Sequence, residues 1–459
     1  MQKKALLALL LAMTLLLSSC ALIVKDEAVD NATEIIRMGD QVITKDKVKE
    51  ATQNQLESIA YMYSMYGYSY DTTDPDNIAE AQESAIESLK ESLALDAKAK
   101  ELGFDQLTDE EKESVQTDAQ ASYDSALDYV KSYLLGDTEG MDEESVATAA
   151  AEKMTELGVT MDTCLKDETD ELIKNKLREY AIQDVTVTDD EIQAEYDSKV
   201  EADKTTYAEN AGSWASAANN GSTLYYTPAG VRRVKQILTK FKDEDQTAID
   251  DANKQLTDAN TARTAAQAKI DAAQEILDVE DISEEDKAQA EEDMAAAKQE
   301  LDDADNALLA ANQAVTDATN KAFENIDEET DAILASLDEE GADWQAIMDE
   351  KNQDPGMKNN EKGYAVSADM TSFDSAFVEA AMALEKPGDH SGKVKGTSYG
   401  YYIIRYEGDE PEGPIALDEV KETISSSLLS TKQDDTYDAA VAQWVEEAGI
   451  KVDLNALKD

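Results

Sequence analysis

The sequence predicts an α+β protein with two parts. The first is a helical N-terminal domain completed by the C-terminal helix, and the second is a small α/β domain with an inserted antiparallel helical coiled-coil hairpin. Three observations predict this class. Long stretches rich in Ala, Glu and Lys have apolar residues at helical spacing. The stretch "SYGYYIIRY", residues 398–406, alternates aromatic and β-branched residues as strands do. Residues 247–325 repeat a heptad pattern.

The charge of the chain limits its partners. With 101 acidic against 41 basic residues, the formal net charge is −60. A phosphate backbone needs Lys and Arg to displace its counterions, so the sequence predicts no nucleic-acid partner. We expect a solvated acidic surface, and whether that surface also attracts basic clients stays open. The sequence predicts that the protein holds no metal and no cofactor. It does not determine the oligomeric state.

The N-terminus has the features of an export signal. Lys3 and Lys4 precede an apolar run, residues 5–17, that is too short to span a bilayer. The run ends in "LSSC" at Cys20, which resembles a bacterial lipoprotein signal; an ordinary secretory signal is the alternative. The resemblance implies removal of residues 1–19 and a lipid on Cys20. It also implies anchoring to the outer face of the bacterial cell membrane. Residues 20–35 are expected to form a short tether.

Cys164 is the only other cysteine. With Cys20 acylated, no intramolecular disulfide is possible. A cysteine nucleophile needs a nearby base, and the single histidine, His390, lies in a turn context. We therefore expect Cys164 to be a small core residue.

Residues 36–200 are predicted to form the helical domain. The first elements read as strand, turn at Gly39, strand, and a helix capped by Thr44. Gly103 is expected to end a long helix. Thr108 and Thr188, each followed by Glu three residues later, predict capping boxes. The run "YMYSMYGYSYD", residues 61–71, is either an adaptable apolar surface for unfolded clients or a wall packed on its own domain.

Residues 201–228 are rich in Ala, Ser, Asn and Gly and are predicted to be a linker. A strand follows from residue 229. In the heptad region Ala alternates with larger residues from Ala252 to Leu277 and again from Ala290 to Ala318, interrupted at Arg263. With Ser283 as helix N-cap, the pattern predicts two helices that pack closely and antiparallel. A last helix from Leu417 to about residue 448 is expected to pack, with a short strand, on the N-terminal domain, so that 411–459 belongs there.

The order of short motifs over residues 229–410 resembles the parvulin-type (PpiC) peptidyl-prolyl cis-trans isomerase domain. The hairpin at 247–325 interrupts the first strand-to-helix connection. With the helical N-terminal domain and the lipoprotein-like signal, the whole chain resembles PrsA/SurA-like foldase lipoproteins. The matching pieces occur in the family order: Gln236–Leu238, Asp354–Gly356, Gly363–Tyr364, Phe377–Leu384, Gly388–Val394 and Tyr399–Ile404.

The resemblance assigns site residues. The two family histidine positions are Gln236 and Tyr402, and Asp354 falls near the family's acidic position; these three are the predicted catalytic residues. An apolar slot for the proline ring is predicted from four further residues. These are Met370, Phe373, Phe377 and Met382. For Phe373 and Phe377, plain core packing is the alternative.

The implied function is that of an extracytoplasmic, membrane-anchored isomerase that helps exported proteins fold. Its partners would be unfolded or partly folded exported proteins with X–Pro bonds. Because both family histidines are replaced, the alternative is a weak or inactive parvulin-fold chaperone that binds unfolded peptides. A third interpretation makes the acidic hairpin a structural spacer.

Overall fold

The computed structural model describes residues 27–136, 140 and 142–457. The expected signal peptide and the lipidation site at Cys20 lie outside the described residues. The chain divides into two units, one comprising the residues up to Val187 and from Ser426 onward, the other Thr188–Ser425. Among the described residues, no helix combines the length and the apolar character needed to cross a membrane.

A three-stranded antiparallel sheet in the first unit joins both ends of the chain. Strand β1 (Glu34–Met38) lies between β2 (Gln41–Thr44) and the last strand, β9 (Lys451–Val452). Helix α1 (Glu27–Asn31) precedes β1, and Ile35 is buried. The later part of the predicted tether 20–35 is therefore folded structure, which corrects that prediction.

The helices of the first unit begin and end largely where the sequence signals lie. They are α2 (Lys45–Met65), α3 (Pro75–Leu102), α4 (Asp109–Tyr129), α5 (Glu143–Glu156) and α6 (Met161–Ile182), with a π-helical turn over Val130–Leu134.

The helix ends predicted at Thr44, Gly103 and Thr108 are confirmed. Gly103 ends α3 with a φ of 75°, and Thr108 forms the predicted capping box with Glu111. Thr44 precedes α2 but its side chain makes no capping bond, because its hydroxyl donates to the Asp46 carboxylate instead.

The C-terminal helix completes the first unit, as predicted for the fold class. In α13 (Leu417–Glu447), Tyr437 and Trp444 pack in one cluster with Leu177 of α6 and Ala99 of α3. The residues of α13 up to Ser425 belong to the second unit, so segment 411–459 is shared between the units rather than confined to the first. Cys164 is buried in α6, as expected.

The second unit contains a four-stranded antiparallel sheet in the order β5-β4-β7-β6. Its strands are β4 (Arg232–Lys240), β5 (Tyr364–Val366), β6 (Val394–Lys395) and β7 (Gly400–Asp409). Strand β7 is the predicted "SYGYYIIRY" strand. Gly400 has a φ of 141°, and a Cβ there would lie 2.0 Å from the Thr239 carbonyl oxygen, so this crossing with β4 requires glycine.

The linker predicted over 201–228 was wrong. The segment contains the end of α7 (Asp189–Tyr207), all of α8 (Ala211–Asn219) and β3 (Tyr226–Thr227), which pairs with β8 (Gly413–Pro414). Trp214 is 2% exposed, and its indole N–H donates to the Tyr226 carbonyl at 2.7 Å. Small polar residues suggested a linker, but one buried tryptophan makes the segment part of the core.

The insertion is an antiparallel hairpin of α9 (Asp243–Leu277) and α10 (Glu284–Leu337), with Ser283 capping α10 as predicted. Arg263 and Lys269 pair with Asp305 and Glu300, and this reversed order fixes the antiparallel sense. Alanines seven residues apart are buried in both helices. They are Ala252, Ala259, Ala266 and Ala273, and Ala290, Ala297, Ala304 and Ala311.

Helix α10 continues beyond residue 325, where the insertion was expected to end. Its last turns cover one face of the sheet, where Ile333 and Leu337 pack with Ile237 and Ile403. Helix α11 (Trp344–Lys351) packs on the same face, while α8 and α12 (Ser375–Ala383) cover the other. Gln236 alternates with Ile237 along β4 and therefore points to the α12 face.

Candidate active site

A cavity of about 430 Å³ opens on the α12 face of the sheet. It contains five of the seven predicted site residues: Gln236, Asp354, Phe373, Phe377 and Tyr402. The other lining residues are Leu238, Lys240, Pro355, Tyr364, Ser372, Asp374 and Tyr399.

Met370 and Met382 do not line this cavity. Met370 is buried in the core, and its backbone lies so close to Gly212 that a Cβ on that glycine would be 2.8 Å from the Met370 Cα. Met382 follows Phe377 by five residues on α12, which turns it about 140° away around the helix axis. Its carbonyl accepts a hydrogen bond from the Arg232 guanidinium at 2.9 Å. The structure places both methionines outside the predicted proline slot.

Asp354 is the centre of a hydrogen-bond network. Its Oδ2 accepts from Gln236 Nε2 at 2.7 Å and from the Tyr364 hydroxyl at 2.8 Å. Its Oδ1 accepts from the Gly356 backbone N–H at 2.8 Å. A Cβ at Gly356 would lie 2.0 Å from the Tyr364 hydroxyl, so the "DPG" glycine leaves space for this tyrosine. Tyr364 was missed as a site residue, although the "KGY" motif contains it.

The orientation of the Gln236 side chain follows from this network. Its amide must turn the NH₂ toward the Asp354 carboxylate, since the carbonyl oxygen would be repelled there. The Gln236 Oε1 atom is buried and has no hydrogen-bond partner in the described part of the chain. Leaving a buried acceptor unpaired costs about 1–3 kcal/mol. The Gln236 amide thus uses its donor group on Asp354 and leaves its acceptor oxygen enclosed in the protein.

Four aromatic rings form a continuous wall of the cavity. Neighbouring ring centroids lie 5.1 Å apart for Tyr364 and Phe373, 5.7 Å for Phe373 and Phe377, and 5.3 Å for Phe377 and Tyr402. Each pair is edge-to-face, the arrangement that the ring quadrupole favours. The wall is apolar, rigid and of a size to take a small ring.

A second carboxylate, Asp374, stands beside Tyr402. Asp374 caps α12 by accepting from Ala376 N–H at 3.0 Å, and its Oδ2 accepts from Thr397 N–H at 2.5 Å. The Tyr402 hydroxyl lies 3.5 Å from the same Oδ2. Asp374 was also missed, and its signal was the N-cap position in "SFDSAF".

Two of the tyrosines that line the cavity, Tyr364 and Tyr402, are held in the protonated form. Burial, reinforced by the hydrogen bond to Asp354, raises the pKa of Tyr364 far above its usual value. Burial, reinforced by the charge of Asp374, does the same for the pKa of Tyr402. At neutral pH each hydroxyl is therefore a hydrogen-bond donor. The lining residues include no cysteine and no histidine, so the cavity offers an apolar wall and polar hydrogen-bonding groups, not a thiolate or imidazole centre. In the described residues, no group of three or more His, Cys, Asp or Glu side chains is placed to hold a metal ion.

No protein-family model matches the chain. Foldase protein PrsA of Clostridium botulinum (strain Hall) is 33% identical over 112 residues, which is 24% of this chain and 32% of that relative. Foldase protein PrsA of Clostridium kluyveri is 30% identical over 125 residues, 27% of this chain and 36% of the relative. The match thus spans about a third of the length of these relatives.

Solved structures with a likeness to this chain include two PrsA proteins. The foldase protein PrsA of Streptococcus pneumoniae aligns over 93% of this chain and 97% of its own, at 13% identity and a TM-score of 0.20. The PrsA peptidylprolyl isomerase of Bacillus anthracis aligns over 80% and 99%, at 14% identity and a TM-score of 0.19. Over about a third of their length, the clostridial PrsA foldases are thus similar in sequence to a segment of this chain.

Proposed function

We propose that the protein is an extracytoplasmic foldase whose second unit accelerates the cis/trans isomerisation of X–Pro bonds in exported proteins. The observation that carries this proposal is the aromatic-walled cavity, which is lined by Gln236, held by Asp354, and by Tyr402. The family resemblance assigns these two residues to its histidine positions. Membrane attachment through a lipid on Cys20 belongs to the same proposal and rests on the "LSSC" signal alone.

Isomerisation of an X–Pro bond requires few chemical groups from the protein. Rotation about an X–Pro bond must break the amide resonance, and the barrier is about 18–20 kcal/mol. No bond to the enzyme is required. A catalyst needs to hold the proline ring and to stabilise the twisted amide more than the planar one.

The cavity residues fit these two tasks. Phe373 and Phe377 provide an apolar wall for the pyrrolidine ring. The Tyr402 hydroxyl, only loosely engaged with Asp374 at 3.5 Å, is free to donate to a substrate carbonyl. Gln236 lines the same cavity, and its side chain is held in place by the hydrogen bond to Asp354. A preorganised donor in an apolar site stabilises charge that develops in the transition state.

A second candidate is a peptide-binding chaperone without isomerase activity. The Asp354 network favours it, because the donors of Gln236 and Tyr364 are already used on the carboxylate. Such a cavity still binds a proline-containing segment, but it offers few free donors to the twisted amide.

Exchange NMR on a short Ala–Pro peptide separates the two candidates. The wild-type chain is compared with Phe377→Ala, which removes part of the wall, and with Tyr402→Phe, which keeps the ring and removes the hydroxyl. Acceleration by the wild type and its loss in both variants supports isomerase function. Absence of acceleration, with aggregation of an unfolded client still suppressed, refutes it in favour of the chaperone.

A further inference from the structure

An exposed cluster of aromatic and Met side chains lies at the end of α2 and in the loop that follows; we call residues 61–70 the Tyr/Met surface. Six of its large side chains are between 43% and 76% exposed. They are Tyr61, Met62, Tyr63, Met65, Tyr66 and Tyr68. Concentrated apolar surface of this kind is typical of interaction sites, and Met side chains adapt to varied partners. Of the two interpretations that the sequence left open, the observed exposure favours the client surface.

The backbone beneath the Tyr/Met surface is fixed. The N–H groups of Tyr66 and Tyr68 both donate to the Tyr63 carbonyl, at 3.1 and 3.0 Å, and Gly67 makes the turn with a φ of 76°. The Tyr63 and Tyr70 ring centroids lie 5.1 Å apart, with the ring planes tilted by 52°. The turn that carries these side chains is therefore already formed, and little backbone entropy is lost when a partner binds.

The negative charge around the Tyr/Met surface indicates which kind of partner can bind there. Residues 50–89 contain eight acidic side chains and no Lys or Arg, and within them residues 58–70 carry no charge. The apolar surface is thus set in a negative field. A second copy of this chain and an anionic lipid surface would both be repelled. A polypeptide whose apolar residues are flanked by Lys or Arg is complementary in both respects.

We propose that the Tyr/Met surface is a docking site for extended polypeptide segments with apolar residues between basic flanks. The proposal adds a second binding site to the proposed foldase function and names the chemistry of the client that this site prefers. It does not depend on isomerisation.

The test uses the full chain and a fluorescein-labelled, proline-free peptide with an apolar centre and Lys flanks, beside a twin peptide with Glu flanks. The surface variant carries Met65→Ser, Tyr66→Ser and Tyr68→Ser. The matched control carries Val29→Ser, Val279→Ser and Leu309→Ser, which remove similarly exposed apolar side chains elsewhere. Circular dichroism establishes that both variants are folded, and fluorescence anisotropy measures binding.

We expect the wild type and the control to bind the Lys-flanked peptide at least about tenfold more tightly than the surface variant does. They should also prefer it over the Glu-flanked twin, and added salt should reduce that preference. Equal binding by the surface variant and the control would overturn the proposal. The proposal would also be overturned if the wild type dimerises, or binds phosphatidylglycerol vesicles, and the surface variant loses that property while its peptide binding is unchanged. Because the peptides lack proline, the outcome is independent of whether the cavity isomerises X–Pro bonds.

Discussion

Gln236 Nε2 donates a hydrogen bond of 2.7 Å to Asp354 Oδ2 across 118 residues of sequence. The helical hairpin occupies much of that separation, and its ends return to the same sheet. The insertion therefore leaves the cavity intact, and the two residues meet as they would with a short connection.

Replacing Gln236 with Leu removes one of the two side-chain donors to Asp354. A hydrogen bond to a charged group contributes about 1.5–3 kcal/mol, so we expect a loss of this order in the free energy of unfolding. Isomerisation should fall at the same time. Denaturant titration and exchange NMR measure the two effects. Gln236→Asn, which shortens but keeps the amide, is the control; a Leu variant as stable and active as the wild type would contradict the role of this network.

Tyr402→Phe keeps the aromatic wall and removes the hydroxyl. We expect peptide affinity to change little, because the ring still contacts Phe377, and the isomerisation rate to fall about tenfold or more, because a preorganised donor is lost. Titration by NMR gives affinity, and exchange at saturating peptide gives the rate. A fall in affinity with an unchanged rate would assign the hydroxyl to binding alone.

The raised pKa values of Tyr364 and Tyr402 predict instability in alkali. In the unfolded chain each hydroxyl ionises near pH 10, the ordinary tyrosine value, while in the folded chain each keeps its proton to higher pH. Above that pH the unfolded state binds fewer protons than the folded one, so the free energy of unfolding falls as pH rises. Below about pH 9 the contribution is constant.

Thermal unfolding between pH 8 and 11 tests this linkage. The Tyr364→Phe and Tyr402→Phe double variant should lose part of the alkaline slope that the wild type shows. Tyr133→Phe, at an exposed position, is the control and should leave the slope unchanged. An identical slope in all three proteins would show that other titrating groups determine the loss of stability in alkali.

Phe377→Ala tests the wall itself. Phe377 is 2% exposed and contacts both Phe373 and Tyr402, so we expect the variant to lose about 3–5 kcal/mol of stability and most of its proline-peptide binding. Phe377→Leu retains much of the volume and should be intermediate in both measurements. Binding that survives in a folded Ala variant would place the peptide elsewhere.

Lys240 is the only cation among the residues that line the cavity. Because Asp354 and Asp374 also line the cavity, we expect Lys240→Glu to speed isomerisation of a Lys–Pro peptide relative to a Glu–Pro peptide at low ionic strength. Lys235→Glu, on the same strand but outside the lining, is the matched control. A ratio of the two rates that does not respond to Lys240→Glu would remove this residue from substrate selection.

Much of the local structure could be predicted because it depends on short-range patterns. The buried alanines of α9 and α10 repeat every seven residues, and the capping boxes at Thr108 and Thr188 occur where their short motifs lie. Strand β7 follows from its alternating aromatic and β-branched residues.

The failures share a physical cause. Met382 has the right sequence position, but the 3.6-residue helical period turns it away from Phe377 and the cavity. Residues 201–228 have the composition of a linker. Trp214 nevertheless packs in the apolar core of the second unit, so the segment is part of that unit. The composition of a segment does not show which residues, distant in the sequence, its side chains will contact.

The sequence by itself determined the α+β class, the helical hairpin, the strand that carries Tyr402 and the order of the parvulin-like motifs, because each depends on periodicity or on neighbours within a few residues. Only the tertiary structure decided that Tyr364 and Asp374 belong to the cavity, that Met370 and Met382 do not, and that the Tyr/Met surface is exposed. Those outcomes depend on contacts between residues far apart in the chain, and the packing of the whole unit sets them.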